Sequence, residues 1–134
     1  MGMLTVCSFA SAATATNNIT GEYEYKRGPH ESTLYVKRLS TSKIRFAMTS
    51  LFIGGPPDSG RVNTGQAGGE AVLANNIATH KEEHLKLTFK FSPGRCEVHC
   101  DELNYYGGNR VDPNGVYKHV SKKVPTEKDL TLPQ

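Results

Sequence analysis

The sequence predicts an all-β fold, a single-domain antiparallel barrel or sandwich of about seven or eight short strands. Three observations carry this. Leu85, Leu87, Phe89 and Phe91 alternate with His84, Lys86, Thr88 and Lys90, the period of a strand with one buried face. Turn signals rich in Gly, Pro, Asn and Ser recur every ~8–12 residues, the spacing of a sandwich or barrel. No stretch shows a sustained helical stripe. The 134 residues suit one domain by the usual prior of ~100–200 residues. With 37% hydrophobic residues, the core is thin and the surface polar.

The elements follow in chain order. Gly21 to Arg27 alternates, with Tyr23 and Tyr25 on one face, and Gly28-Pro29-His30 ends it as a turn. Thr33 to Leu39 resumes, with Leu34 and Val36 on one side and Tyr35 on the other. Ile44, Phe46 and Met48 point one way, whereas Leu51 and Ile53 are out of phase with them. A strand changes phase only through an extra residue, so a bulge or bend is expected near Thr49-Ser50. Gly54 to Gly65 is the longest loop signal. Gln66 to Leu73 is Gly- and Ala-rich, a strand closely approached by a neighbour. A short helix over 66–75 or 100–105 is the competing reading. Asn75-Asn76 is a tight hairpin turn, because Asn tolerates positive φ. Ile77 to His80 returns, Lys81 to His84 turns, and Leu85 to Phe91 is the clearest strand. Ser92-Pro93-Gly94-Arg95 turns again. Cys96, Val98 and Cys100 share the inner face of the next strand. Asp112-Pro113-Asn114-Gly115 is a turn before a last strand over Val116 to Val120.

Residues 1–16 are expected to be the remnant of a secretory signal peptide or cloning-derived residues. The apolar run from Met3 ends in small residues, with Ala10-Ser11-Ala12 and Ala13-Thr14-Ala15 of the Ala-x-Ala type. Residues 17–121 form the β domain, and 122–134 a loose, charged C-terminal tail. A periplasmic or secreted location follows. No apolar run reaches the ~18–20 residues of a membrane span. The net charge is +3 with basic residues scattered, so nucleic acid is not expected as a partner.

Catalytic signals are weak. Glu82-Glu83 and Asp101-Glu102 are adjacent carboxylates, whereas glycosidase chemistry needs two carboxyls across a cleft. No Gly-x-Ser-x-Gly elbow is present. Gly68-Gly69 and Gly107-Gly108 do not lead from a strand into a helix, so they cradle no phosphate. No catalytic residue and no cofactor is expected, and the chain is read as a non-enzyme. The alternative is a small-ligand or zinc-binding barrel, with His80, His84, Cys96, His99 and Cys100 as donors. Their spacing matches none of the strong zinc patterns. An oxidising compartment favours a disulfide between Cys96 and Cys100. Four residues of extended chain span ~13 Å, so that bond requires a bent segment between them.

Recognition signals are stronger. A long loop on a rigid scaffold is where function tends to sit, which singles out 54–63. Tyr105-Tyr106-Gly107-Gly108-Asn109-Arg110 combines the residue types most enriched at protein hot spots.

Three pieces occur in order: Thr64-Gly65-Gln66 to Asn76-Ile77-Ala78 ("TG…GEAVLANNIATH"), Leu85 to Phe91 ("LKLTFKF") and Tyr106 to Lys118 ("YGGNRVDPNGVYK"). On these the chain resembles a family of small secreted bacterial β domains, some of which accompany or resemble periplasmic lysozyme inhibitors. The resemblance covers about residues 20–120. Tyr105 or Tyr106, and His84 or Leu85, stand where the family often has cysteines. The family disulfide is therefore absent, and the resemblance makes Cys96 and Cys100 a relocated substitute.

The resemblance implies a periplasmic inhibitor, of immunity type, that occludes the cleft of a peptidoglycan-degrading enzyme such as a lysozyme-like muramidase. The partner would be a cell-wall glycoside hydrolase or toxin. Arg61, Arg110 or His30 would pair with the enzyme's catalytic carboxylates. Tyr105 or Tyr106 would anchor the contact, and Asp58 and Asn109 would make sugar-like polar contacts.

Overall fold

The computed structural model describes residues 19–54, 62–102, 106–108 and 110–132. Eight strands are present: β1 (Gly21–Arg27), β2 (His30–Ser40), β3 (Lys43–Ile53), β4 (Val62–Ala74), β5 (Ile77–Glu82), β6 (Leu85–Ser92), β7 (Arg95–Asp101) and β8 (Gly115–Ser121). Each pairs antiparallel with its sequence neighbours, and β8 closes on β1, giving one up-and-down barrel. The expected all-β barrel is what the chain adopts. The stretch 66–75 lies in β4 and its turn, so the helical reading of it is corrected.

Alternation decides what enters the barrel. Leu85, Leu87, Phe89 and Phe91 point inward as the pattern predicted. So do Leu34 and Val36 of β2, Ile44, Phe46 and Met48 of β3, and Cys96, Val98 and Cys100 of β7. β4 contributes Gly65, Ala67, Gly69, Ala71 and Leu73 to the same side. Those small residues leave room for bulky ones. A Cβ on Gly65 would lie 2.8 Å from the Tyr106 ring, and one on Gly69 would lie 3.3 Å from His80. An eight-stranded barrel is only just wide enough for its own side chains. Here Tyr23, Phe46, Phe89 and Tyr117 fill it, each no more than 1% exposed.

The expected bulge at Thr49-Ser50 does not form. The β3–β4 ladder runs without a shift from Lys43↔Val72 to Ile53↔Val62. The phase holds because Ser50, not an apolar residue, takes the next inward position and is 1% exposed. Leu51 and Ile53 accordingly face outward. β4 also starts earlier than expected, so residues 62–65, read as loop, are strand.

The barrel is not evenly laced. β1 to β4 are joined by long ladders, and so are β5 to β7. The β4–β5 seam holds only at Val72↔Thr79, Leu73↔Ala78 and Ala74↔Ile77. The β1–β8 seam holds only at Glu22↔Ser121, Tyr23↔His119 and Glu24↔Lys118. Both seams part toward the same end. That end, the upper rim, carries the 28–29 and 83–84 turns and the connectors after β3 and β7. The lower rim carries the hairpin turns at 41–42, 75–76 and 93–94. In the β4–β5 gap, His80 Nδ1 bonds the Glu70 carbonyl at 2.8 Å, a side chain replacing a missing ladder bond.

The turns follow their chemistry. Asn75 and Asn76 have φ of 51° and 66°, and Gly94 has φ of 77°. At the β7–β8 connection, Asn114 N–H donates to Asp112 Oδ1 at 2.8 Å, and the Cys100 N–H donates to Asn114 Oδ1 at 2.6 Å.

The segment expected as a loose tail is docked. Leu130 is 4% exposed, and Glu127 pairs with Arg45 of β3. Leu132 packs over Gly68 of β4. The Glu22 carboxyl is raised by burial first, then by Glu24 and Asp129, so Asp129 reaches β1. Glu22, Tyr35, Ala47 and Gly68 form one transverse row across β1 to β4. The C-terminal strap follows that row, where Ala47 and Gly68 leave a shallow trough. Ala47 faces outward and is nonetheless only 4% exposed.

Candidate functional site

Of the two segments singled out as recognition elements, 55–61 lie outside the described residues, and Gly107 and Gly108 of the other meet the start of β4 at the upper rim. Gly107 bridges Gly65 in antiparallel fashion, and the Gly108 N–H donates to the Thr64 carbonyl at 3.0 Å. A Cβ on Gly107 would stand 2.5 Å from the Gly65 Cα, so this approach requires glycine. Val111 N–H then donates to the Gly108 carbonyl at 3.1 Å and turns the chain back over the barrel. The 106–111 segment thus occupies space that β5 vacates beside the start of β4.

Arg110 emerges from that stitch with φ of 65°, a left-handed conformation costly for a side chain of this size. It is exposed, and its guanidinium lies over the Phe52 ring at 5.9 Å from the centroid, a cation–π contact. Phe52 in turn meets the edge of His30, ring centroids 5.2 Å apart. Phe52 and His30 are register partners across β3 and β2, which fixes their juxtaposition. His30 Nδ1 is buried without a protein hydrogen-bond partner. No described carboxylate pairs with Arg110 or His30. The result is a small aromatic seat carrying one permanent cation and one titratable ring.

Of the two tyrosines offered as the anchor, Tyr106 is a plug inside the barrel. Its ring is 4% exposed, and its hydroxyl is 2.6 Å from Ser50 Oγ. Ser32 Oγ donates to Ser50 Oγ at 2.7 Å. Burial raises the Tyr106 phenol well above the ordinary tyrosine range. Tyr117, in the same layer, donates to the Pro113 carbonyl at 2.7 Å. This buried polar chain under the rim was missed at the level of sequence. The signal was present: Ser32 and Ser50 continue the inward phases of Leu34-Val36 and of Ile44-Phe46-Met48. Asp58, Arg61, Tyr105 and Asn109 lie outside the described residues.

The metal-donor set does not converge. Cys96 is fully buried opposite Tyr117, and Cys100 faces inward opposite Leu87. His99 points outward and meets Asp101 at 2.9 Å. His80 lies between Glu70 and Glu82, and His84 stands 3.7 Å from Glu83. Among the described residues no three His, Cys, Asp or Glu side chains are grouped to hold a metal ion. Burial pushes the Cys100 thiol up to about 11 and the Cys96 thiol higher still, whereas metals bind thiolate.

The expected disulfide is corrected as well. Cys96 and Cys100 are both free. β7 is laddered to β6 without a shift along its whole length, so its two inward thiols sit ~13 Å of chain apart, beyond disulfide reach. Asp101, Glu82 and Glu83 are solvent-exposed, and so is Glu102. Among the described residues no helix is long and apolar enough to cross a membrane. No family model, no curated protein and no solved structure matches the chain.

Proposed function

We propose that this chain is an exported protein inhibitor whose upper rim enters and blocks the cleft of a peptidoglycan-cleaving enzyme. The observation that supports this most is the Arg110–Phe52–His30 seat. A muramidase cleft presents two carboxylates flanking the scissile bond. An exposed guanidinium free of described ion pairs offers a planar, bidentate partner for one of them. Stacking on Phe52 pre-orients the guanidinium, so less side-chain freedom is lost on binding. The ladder-anchored rim beneath it keeps backbone ordering costs low for the same reason. Binding to an acidic cleft also fits the net charge of +3 through electrostatic steering.

The test is direct binding to a panel of purified muramidases, compared between the native chain and Arg110→Glu. The expected result is a one-to-one complex with at least one enzyme, weakened by roughly 2–5 kcal/mol when the charge is reversed at a buried contact. Equal binding by both proteins would remove Arg110 from the interface.

A further inference from the structure

The parted seam between β1 and β8 is a second surface with its own chemistry. The two strands pair at Glu22 to Glu24, and both continue toward the upper rim without meeting again. β1 remains laddered to β2 through Tyr25↔Ser32, Lys26↔Glu31 and Arg27↔His30. β8 remains laddered to β7 through Glu97↔Val116 and Val98↔Gly115. The register between the two strands does not extend to residues 25–27 and 115–117. Each lip is therefore a firm strand with one edge unpaired.

The opening is built into the packing and is not a frayed end. The Tyr25 ring packs against the core on the inner side of the seam, stacked on Tyr117 with centroids 5.3 Å apart. It also meets Gly115, where a Cβ would lie 2.5 Å from Tyr25 Cε1. Gly115 also has φ of 156°, so glycine suits the position twice over. Tyr25 acts as a wedge, and Gly115 accommodates it.

The outer groove along this seam is lined by Tyr25, Lys26, Arg27, Val116, Lys118 and Val120, with Glu24 at its closed end. Val116 is 53% and Val120 45% exposed on β8. Lys26 meets Glu31 at 2.9 Å, while Arg27 and Lys118 pair with no described carboxylate. Unpaired strand edges accept extended chain through main-chain hydrogen bonds, and alternating side chains give the specificity. The cations fix the sign of that chain. Lysines on an open edge repel a second copy presenting the same lip. They attract an acidic one.

We propose that the β1–β8 seam takes up an extended acidic segment of a partner protein, apolar and acidic residues alternating, at a surface distinct from the Arg110 seat. The segment lies along Val116 and Val120, with its carboxylates toward Arg27 and Lys118.

The probe is a short fluorescent peptide of alternating Val and Glu, titrated into the full chain, with a Val–Lys peptide of equal length beside it. The Val–Glu peptide is expected to bind with an affinity that falls as salt rises, and to shift the amide resonances of Tyr25 to Arg27 and Gly115 to Lys118. The double variant Arg27→Glu, Lys118→Glu changes only exposed side chains and is expected to lose roughly tenfold in affinity. Arg110→Glu is expected to leave peptide affinity unchanged, which separates this inference from the inhibitor reading. Equal binding of the Val–Lys peptide would overturn it. So would shifts confined to His30 and Arg110. A concentration-dependent dimer abolished by Arg27→Glu would also overturn it, by making the occupant a second copy.

Discussion

The hydroxyl of Ser50 holds two others inside the barrel, those of Ser32 and Tyr106. Removing it strips a bond from two buried hydroxyls at once, which costs more than the loss of one bond. Ser50→Ala is expected to lower unfolding free energy by about 1–3 kcal/mol, read from urea melts. Tyr106→Phe combined with Ser50→Ala should cost less than the sum of the single changes, because the two hydroxyls share one network. The thiols give a second test. Intact mass of the oxidised protein should show no Cys96–Cys100 bond, and both thiols should react with a thiol reagent only on unfolding. The Cys100 thiol is pushed up to about 11 by burial and then by Asp101 and Asp112. A folded value raised above the unfolded one leaves stability intact below pH 9 and removes it as pH climbs toward 11. Buried Tyr23, Tyr106 and Tyr117 act in the same sense. Stability should therefore fall across that window, and Cys100→Ala should shallow the fall. Such positions were half legible in sequence. Alternation placed Cys96, Cys100 and Tyr23 inside, but a serine in an inward phase reads as a break until its partners are known.

Strands and their connectors follow period-2 patterning closely, and β6 and the Asn75-Asn76 turn were plain from the residues alone. The errors share one physical cause. Residues 62–65 looked like loop because Gly and Asn have low strand propensity, yet β3 provides a full ladder that overrides it. The C-terminal strap looked like solvated tail because its charge hides a few apolar anchors, Leu130 foremost, and a trough that exists only once Ala47 and Gly68 align across β3 and β4. Deleting residues from Val124 onward is expected to destabilise the barrel by about 1.5–3 kcal/mol, the contribution of one buried leucine. Arg45→Ala should change little, since the pair with Glu127 is exposed. Thermal melts of the two variants check both statements, and equal losses would contradict this division of labour.

Taken as one body, the barrel is a stiff shell with an asymmetric rim. Its long ladders run through β1 to β4, its seams part toward one end, and the 106–111 segment, His30 and Phe52 gather there. The barrel class was readable in advance from the alternation and the spacing of turns, whereas the stitch of Gly107 and Gly108 onto Gly65 and Thr64 was not, because it depends on two glycines meeting across the rim. Nor was the seat itself, since Phe52 gained its role only through register with His30 and its approach to Arg110. The central claim is that this rim fills an enzyme's substrate groove. Steady-state inhibition of a muramidase by the native chain, measured against increasing cell-wall substrate, tests it most directly. Competitive inhibition that Arg110→Glu relieves is the predicted outcome, and inhibition independent of substrate concentration, or none, would contradict it.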